Sequence, residues 1–476
     1  KWRDYRLDHS DAMNESTSFV RPKITVSQAV VWFLAVIAIF VMAKTDAADL
    51  LPRVAAISAL VVALFATRLL PEVVTALGCF LSFIAIGAAP NEVIFSGFSS
   101  GGFWLLFAGL VIGTAITTTG LGMQVALRIF QHTGNSYVRV ALLLALSGLG
   151  LGVLVPATIP RIIIMVPIAL SLAKTMGYDI GSRGHVGLTV TAAVATNLPT
   201  YVILTGNLPT IIHLGAFETL YGVRTSYTDY FVEQAPINFL RFLALLAVML
   251  PFAPPRSHRL SELEDPTPFT SVQKFLFIMI CVAILFWVTD SWHGISPAWI
   301  ALSLAAVLTV PAFGILDDKV MKTQIDVSPA FFLAAVFAIS AVAQHTGLST
   351  TIAEQLIPLL QLGQGSDLRD LYAVAGLSSF LSHFTTAPAA PAILAPLAGA
   401  MATETGWTIE TISMTQILGI STPILPHQAP PLIISMALAQ IPIAALLRVC
   451  AGLAVAVAFV GIPLTFVWWN YLGLFG

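Results

Sequence analysis

The segment LGVLVPATIPRIIIMVPIAL (Leu151–Leu170) places the strongest constraint on the fold. It is long enough to cross about 30 Å of hydrocarbon, yet it contains three prolines and, near its middle, Arg161. Proline removes a backbone donor and breaks an α-helix. Backbone groups freed within a bilayer persist only where they are buried in protein or line a wet cavity. The chain must therefore fold around this break.

The rest of the chain is typical of a polytopic membrane protein. It is 57% hydrophobic and 10% charged, whereas a soluble protein carries about 25% charged residues. Apolar runs recur without the alternation expected of an outer-membrane barrel. The net charge of −2 indicates no nucleic-acid partner. The sequence has no Walker loop and offers no constellation for an enzyme.

Polar segments divide the chain into parts. We expect a cytoplasmic tail at 1–24, a first transmembrane helix at 25–50, a first repeat at 51–255, a cytoplasmic linker at 256–272 and a second repeat at 273–476. Lys and Arg cluster in the tail, in the loop Arg128–Arg139 and in the linker. The positive-inside rule places all three in the cytoplasm. This predicts a multi-pass protein of an inner or plasma membrane with a cytoplasmic N-terminus.

An internal repeat organises the apolar segments. Three sequences recur in the same order 222 to 229 residues later: FWLLFAGLVIGTAITTTGL as AFFLAAVFAISAVAQHTGL, ATIPRIIIMVPIA as TAPAAPAILAPLA, and TGNLPTII as HQAPPLII. Two repeats, each with a proline-interrupted segment at the same place, are typical of a secondary transporter. We expect the two broken segments, or hairpins, near 154–175 and 371–400.

Arg161 makes the first broken segment a candidate anion-binding site. A broken helix directs the positive end of a half-helix dipole at the membrane midplane, where it attracts an anion. The guanidinium adds a full charge and a planar donor fork that suits carboxylate, sulfonate or phosphate. The alternatives are snorkelling to lipid headgroups and structural pairing. The apolar flanks, about ten residues on each side, make snorkelling awkward.

The segment TALGCFLSFIAIGAAPNEVIFSGFSSGGFWLLFAGLVIGTAITTTGLG (Thr75–Gly122) resembles the opening of the first repeat in the divalent anion:sodium symporter family, within the ion transporter superfamily. The resemblance extends from about Leu69 to the C-terminus. Family members carry Ser-Asn-Thr at each hairpin tip and a Gly-Thr-Pro-Pro-Asn-like or Thr-Pro-Pro-Asn-like loop in the unwound helix that follows.

Carried over by position, the two family motifs fall on mostly apolar residues. The tripeptides fall on Ala157, Thr158 and Ile159 and on Thr386, Ala387 and Pro388, and the loops fall on Gly206–Thr210 and Ala429–Leu432. The glycines and prolines that shape the backbone are largely kept, while polar ligands are largely lost. The resemblance implies an all-α membrane protein of about 11 transmembrane helices plus two re-entrant hairpins in two inverted repeats. It also implies a homodimer with a scaffold domain and an elevator-type transport domain.

These motifs define the candidate site residues. For substrate binding they are Arg161, Thr158, Thr386, Asn207, Pro388, Ala429 and Pro430. For ion coupling they are Ala157, Gly206, Thr210, Thr385, His383 and His427, with Gln428 as a further polar candidate. Backbone carbonyls near Thr158 and Ala387 are candidate sodium ligands. The threonines can instead bond their own helix carbonyls. The two histidines are candidate proton carriers, or neutral rings that satisfy a backbone group.

The function predicted from these residues is secondary active transport of a small organic anion, a carboxylate or dicarboxylate, by an elevator mechanism. Sodium coupling is expected to be weak or absent, because both tripeptides have lost their asparagine and Arg161 is a fixed cation. The alternatives are a sodium-coupled symporter of the same class, and a proton-coupled or exchange carrier of a non-dicarboxylate substrate. A channel or receptor is disfavoured, because a channel needs a continuous polar path. No cofactor is expected beyond a coupling sodium ion or proton.

Overall fold

The computed structural model describes residues 26–46, 48–130, 136–155, 158–254 and 267–475. All regular secondary structure within these ranges is helical. The first half comprises α1 (Val26–Lys44), α2 (Leu50–Thr67), α3 (Glu72–Ala85), α4 (Asn91–Ile94), α5 (Gly101–Thr119), α6 (Leu121–Phe130), α7 (Tyr137–Leu154), α8 (Thr158–Thr175), α9 (Arg183–Ala195), α10 (Leu208–Tyr221) and α11 (Tyr227–Met249).

The second half begins at Ser271. It comprises α12 (Ser271–Val288), α13 (Asp290–His293), α14 (Pro297–Leu308), α15 (Asp318–Gln324), α16 (Ser328–His345), α17 (Leu348–Leu360), α18 (Asp367–Phe384), α19 (Pro391–Leu394), α20 (Ala398–Thr405), α21 (Ile409–Ile420), α22 (Pro430–Ala439), α23 (Ile443–Ala456) and α24 (Ile462–Leu472). A π-helical segment, Val457–Gly461, joins the last two helices.

The helices have the length and surface of a membrane protein. In the described ranges, eight helices are long and apolar enough to cross a bilayer. Large apolar side chains are exposed on these helices, among them Phe239 at 64%, Leu285 at 62% and Phe459 at 76%. An apolar surface of this kind is stable in lipid and not in water. The expectation of an all-helical membrane fold is therefore confirmed.

Each half contains a helical hairpin followed by an interrupted helix. In the first half, α7 ends at Leu154 and α8 begins at Thr158, and we call the junction of these two helices the first tip; residues 196–207 separate α9 from α10. In the second half, α18 and α19 flank a tip at 385–390, and residues 421–429 separate α21 from α22. Prolines explain the interruptions, since Pro199 and Pro426 each begin a 3-10 turn there.

The first hairpin is longer than the range 154–175 suggests. Its first arm, α7, begins at Tyr137, so the helical pair extends over 137–175. The sequence of α7 contains no proline and therefore has the appearance of an independent membrane span. The tail at 1–24 lies outside the described residues, as does most of the linker at 256–272. The proposed domain boundaries remain predictions.

The two halves interlock through paired contacts. Helix α5 of the first half packs against α14 of the second, and α3 packs against α16. The same crossing recurs at the hairpins, where α8 packs against α22 and α10 packs against α19. Each half-helix that follows an interruption thus rests on the hairpin of the other half. This arrangement positions the candidate site.

Glycines let each hairpin approach its own interrupted helix closely. A Cβ atom on Gly148 of α7 would lie 2.9 Å from the carbonyl carbon of Ala195 in α9. A Cβ atom on Gly419 of α21 would lie 2.2 Å from the carbonyl oxygen of Ala375 in α18. Small residues at helix contacts are the usual basis of close packing in membranes.

Candidate functional site

Arg161 lies in the first turn of α8, immediately after the first hairpin tip, and its side chain is fully buried. One terminal nitrogen, Nη2, donates to the hydroxyl of Thr158 at 2.8 Å and to the carbonyl of Gly206. The other two nitrogens, Nε and Nη1, have no hydrogen-bond partner among the described residues. The ion pairs in the same ranges do not involve Arg161. The guanidinium is therefore buried without a carboxylate and with donors to spare.

A chain of polar side chains ties the hairpin tip to the first interruption. The Thr158 hydroxyl donates to Oδ1 of Asn207 at 3.0 Å. The amide nitrogen of Asn207 donates to Oγ1 of Thr200 at 3.0 Å, and the Thr200 hydroxyl donates to the Asn197 carbonyl at 2.6 Å. All four side chains are buried. These hydrogen bonds hold in place the Thr158 hydroxyl and the Gly206 carbonyl, to which Arg161 donates.

Helix α7 leaves room for the guanidinium. A Cβ atom on Gly152 would lie 3.0 Å from Nη1 of Arg161 and 2.6 Å from Cγ2 of Thr200. A larger residue at 152 would therefore displace the arginine, the threonine or both. Glycine at this position belongs to the site even though it carries no polar group.

Thr210 lies apart from this chain, in the first turn of α10. Its hydroxyl is 3.4 Å from the hydroxyl of Tyr230 in α11. The Tyr230 hydroxyl donates to the carbonyl of Tyr201 at 2.7 Å. Thr210 and Tyr230 thus connect the start of α10 with the first interruption.

The second hairpin tip is held mainly by backbone groups. The carbonyl of Thr386 accepts from the amides of Ala389 and Ala390 at 2.9 and 3.0 Å, and the amide of Ala387 donates to the carbonyl of Gln428 at 3.0 Å. The Thr385 hydroxyl donates to the carbonyl of Leu381 at 3.1 Å, within its own helix. Pro388 is buried in the same turn.

Polar side chains near the second tip also serve the backbone. The side-chain oxygen of Gln428 accepts from the amides of Ile424 and Leu425, each at 2.8 Å. Nδ1 of His383 is bonded to the carbonyl of Ser379 at 2.6 Å. Nε2 of the exposed His427 is 3.2 Å from the carbonyl of His383. The half-helix α22 then begins, with Ala429 buried and Pro430 partly buried.

The structure places the candidate residues in two groups. Arg161, Thr158, Gly206 and Asn207 are in mutual contact at the first tip. The second group surrounds the second tip and consists of Thr385, Thr386, Pro388, His383, His427, Ala429 and Pro430. Ala157 lies outside the described residues. The packing of α8 on α22 and of α10 on α19 relates the two groups.

Arg241, in α11, is a second buried arginine that the sequence analysis missed. Its Nη1 donates to Oδ1 of Asn238 at 2.9 Å, and its Nη2 donates to the hydroxyls of Ser421 and Thr422 at 2.8 Å each. The signal was present in the sequence, because an arginine within the apolar run 227–252 is as costly as Arg161.

The fold and the buried arginines define a class, the multi-pass helical transporters built from two repeats with interrupted helices. The chain belongs to the family described as "Sodium:sulfate symporter transmembrane region", whose family model matches residues 22–475. This match confirms the resemblance to the divalent anion:sodium symporters. The chain is thus a membrane-embedded member of a transporter family.

Curated relatives are distant and align with part of the chain. A "Membrane protein" of Cupriavidus necator is 26% identical over 70% of this chain and 68% of the relative. "Inner membrane protein YbhI" of Escherichia coli is 22% identical over 49% of this chain and 51% of its own length. An "L-tartrate/succinate antiporter" of Escherichia coli is 23% identical over 53% of this chain and 54% of the antiporter. The alignment thus spans about half the length of the last two relatives.

Two solved structures share the fold. The YdaH transporter of Alcanivorax borkumensis superimposes with a TM-score of 0.56 at 16% identity, over 94% of this chain and 99% of that one. MtrF of Neisseria gonorrhoeae, described with a class of antimetabolite efflux pumps, superimposes with a TM-score of 0.55 at 14% identity, over 86% of this chain and 96% of its own. At these identities the likeness is one of fold alone.

Proposed function

We propose that the protein is a secondary active transporter of a small organic anion, a carboxylate or dicarboxylate. It works in an inner or plasma membrane with its N-terminus in the cytoplasm, as a homodimer whose transport domain moves as an elevator. Sodium coupling is weak or absent. The observation that carries the proposal is the fully buried guanidinium of Arg161, which keeps two free nitrogens and has no carboxylate partner among the described residues.

An anionic substrate supplies what Arg161 lacks. A buried charge without a partner costs several kcal/mol, so the site favours a ligand that neutralises it. Nε and Nη1 lie on different edges of the planar guanidinium, so each can donate a charge-assisted hydrogen bond to an anionic group. Helix α10 begins at Leu208, and its N-cap Asn207 makes no side-chain cap bond. The positive end of the α10 dipole therefore adds to the attraction.

The same arginine argues against sodium at the first tip. Its Nη2 is bonded to the Gly206 carbonyl, one of the oxygens that a cation would use. At an effective dielectric of about 20, a second cation 4–5 Å away is repelled by roughly 3–4 kcal/mol. That penalty lowers affinity by more than two decades. The fixed charge takes the place of a transiently bound ion.

Exchange is the transport mode that this arrangement favours. A carrier whose cation is covalently fixed remains charged after it releases its substrate, and a buried charge is costly to move through an apolar environment. Reorientation is then easier with an anion bound than without one. The similarity to an L-tartrate/succinate antiporter supports this mode. Sodium-coupled symport is the alternative, favoured by the description of the family itself.

Counterflow in proteoliposomes tests the proposal. Vesicles preloaded with unlabelled succinate should take up labelled succinate faster than empty vesicles. The rate should persist when choline replaces sodium at constant pH and voltage. A panel of other small anions should be run in parallel to find the best substrate. Absence of trans-stimulation for the whole panel contradicts carrier-mediated anion exchange, and a saturable loss of uptake without sodium contradicts the coupling assignment.

A further inference from the structure

A proline inside helix α11, Pro236, opens one turn of this apolar span. Proline has no backbone N–H, so the carbonyl of Val232, four residues earlier, loses its helical donor. The indole of Trp468 in α24 donates to this carbonyl at 2.9 Å. The indole of Trp469 donates to the next carbonyl, that of Glu233, at 3.0 Å. Helix α24 thus stabilises the opened turn, and Glu233 lies in it.

The carboxyl group of Glu233 is buried at this turn. The residue is 6% exposed, and its Oε2 has no hydrogen-bond partner among the described residues. The ion pairs in the same ranges do not involve it. An ionised carboxylate that is buried without such a pair costs several kcal/mol. A bound proton removes the charge and turns the carboxyl oxygen into a donor.

Two side chains near Glu233 also lack hydrogen-bond partners. Oε1 of Gln234 and the hydroxyl of Thr465 are buried and unpartnered in the part of the chain that the structure describes. Thr465 precedes Trp469 by one turn of α24. A Cβ atom on Gly461, four residues earlier still, would lie 3.3 Å from Cγ1 of Ile237. Thr465 therefore lies opposite the opened turn, where a bound proton supplies a donor to unpaired acceptors.

The charged groups that act on Glu233 are acids. Asp229 precedes it by one turn of α11, and Glu410 lies in the first turn of α21. Helix α24, which supplies both indoles, has no charged residue. In α13, Asp290 accepts from the amide of Tyr227 at the start of α11. These neighbours supply no positive charge that would hold Glu233 in its ionised form.

Basic residues on the helices in contact with α11 lie away from this turn. Arg241 follows Glu233 by eight residues, which is about 12 Å along the helix. Helix α7 brings its arginine to the other end of α11, where Tyr137 donates to the Met249 carbonyl at 3.4 Å. The basic residues on the contacting helices are Arg139, Arg183, His185, Lys274, His293 and Arg448. Among the described residues, none of them is paired with Glu233.

Hydrogen bonds connect the opened turn with the anion site. The hydroxyl of Tyr230, three residues before Glu233, donates to the carbonyl of Tyr201 at 2.7 Å. Tyr201 lies in the first interruption, which ends at Asn207. Asn207 belongs to the polar chain that is bonded to Arg161. The carboxyl group and the guanidinium are thus held in one buried framework.

We propose that Glu233 is a proton-binding site and that the protein takes up a proton there when it binds its anion. The inference rests on the proposed function, since it concerns the same anion. The proton comes from the solvent and binds to Oε2. A bound anion adds negative charge to the buried framework, and negative charge favours the neutral form of a buried carboxyl group. By reciprocity, the protonated protein binds the anion more tightly.

Isothermal titration of succinate into the purified full-length protein measures this proton uptake. The titration is run in phosphate and in Tris, whose ionisation enthalpies differ, so the difference in heat reports the protons exchanged with the buffer. We expect the wild-type protein to take up as much as one proton for each succinate bound. Its succinate affinity should fall as the pH rises, by at most about tenfold per pH unit for one coupled proton.

Three variants assign the proton to Glu233. Glu233→Gln is permanently neutral, so it should take up fewer protons, and its affinity should approach that of the wild type as the pH falls. Glu233→Asp keeps a carboxyl group and should retain the uptake. Glu354→Gln changes an exposed acid in α17 and should behave as the wild type. Protonation of succinate itself contributes equally to all four proteins.

A second measurement needs no anion. The infrared carbonyl stretch of a protonated carboxylic acid, followed as the pH is lowered, should gain a band in the wild type that Glu233→Gln lacks. In Glu233→Asp this band should shift. Thermal unfolding checks that each variant folds.

Equal proton uptake by the wild type and folded Glu233→Gln overturns the inference, and so does a loss in Glu233→Asp as large as that in Glu233→Gln. If Glu233→Gln does not fold, the other two proteins decide. Absence of proton uptake by the wild type then contradicts the proposal, as does an infrared band that Glu233→Asp leaves in place. Wild-type protein that shows the Glu233 band and binds no succinate is a failure of the proposed function instead.

Discussion

The two hairpin tips have the same backbone plan and opposite side-chain chemistry. At the first tip, the buried side chains of Arg161, Thr158 and Asn207 are linked by hydrogen bonds. Nε and Nη1 of Arg161 have no hydrogen-bond partner among the described residues. In the second, the residue that aligns with Arg161 is Ala390, and the nearby Gln428 binds backbone amides. Both repeats contain breaks in their helices, whereas among the described residues a charged side chain directly follows only the first tip.

This difference indicates a division of labour. A tip that satisfies its own backbone needs nothing from a ligand, and a tip that holds an unpaired charge does. We therefore expect the first tip to determine the affinity for the anion. We expect the second tip to determine the shape of the site and the stability of the folded protein.

Replacement of Arg161 should remove anion binding. Arg161→Ala deletes both free donors and the charge, so succinate affinity should fall at least 100-fold, or about 2.7 kcal/mol. Arg161→Lys should recover little, because lysine lacks the planar fork. Isothermal titration of the purified protein measures both, and the exposed Arg448→Ala serves as the control. Wild-type affinity in folded Arg161→Ala protein would falsify the division at its strongest point.

A methyl group at position 152 should disturb the same site without touching its charge. Gly152→Ala places a carbon 2.6 Å from Thr200 and 3.0 Å from Arg161. We expect a loss of about 1–3 kcal/mol in stability from this overpacking. If displacement of the arginine accounts for about half of this cost, succinate affinity should fall by roughly two- to thirteenfold.

The matched control is Gly150→Ala on the same helix, where a Cβ atom would have nothing within 4 Å. It should leave affinity unchanged and should not lower the melting temperature, because alanine stabilises a helix relative to glycine. If the two variants behave alike, the space next to Gly152 has no part in positioning Arg161, and the loss reflects helix α7 in general.

Replacement of the amide side chain should affect anion affinity at the first interruption and stability at the second. Asn207→Ala breaks the chain between Thr158 and Thr200, so anion affinity should fall by about 1 kcal/mol. Gln428→Ala leaves the amides of Ile424 and Leu425 without their partner, so stability should fall by about 1–3 kcal/mol. Succinate affinity should remain at the wild-type value in the second variant. Equal losses of affinity in the two proteins would contradict the comparison.

The histidines of the second tip should have the smallest effect on the folded protein. His427 is exposed, so His427→Gln should change stability by less than about 0.5 kcal/mol. The informative measurement is uptake driven by a pH gradient. If a proton is coupled through His383 or His427, stimulation by external acid disappears in the corresponding variant. Full stimulation in both variants assigns proton coupling, where it exists, to other residues.

Local chemistry made much of the fold predictable. Prolines mark the interruptions, apolar runs mark the helices, and the cost of a charge in hydrocarbon identifies Arg161. The same reasoning applies to Arg241, which was missed because its run belongs to none of the repeated sequences, although Pro236 lies five residues before it. Within the site, the sequence identifies Thr158 and Asn207 by their position in the motifs.

Contacts between distant segments were not predictable. Nothing local to Gly152 indicates that it faces a guanidinium, and nothing near Thr210 indicates Tyr230 as its neighbour. Such pairs depend on how helices cross, which side-chain patterns in one segment do not specify. The first arm of the hairpin, α7, was likewise indistinguishable from a complete span, because it contains no proline.

The crossing of α8 with α22 has a consequence for biosynthesis. More than 250 residues separate the end of α8 from the start of α22. Arg161 is therefore synthesised and inserted long before the helix that packs against its own exists. Contacts between such distant segments form late in folding. The first half therefore remains incompletely folded until the second half has been synthesised. If the two halves are expressed as separate chains, each should become stable only when both are produced together.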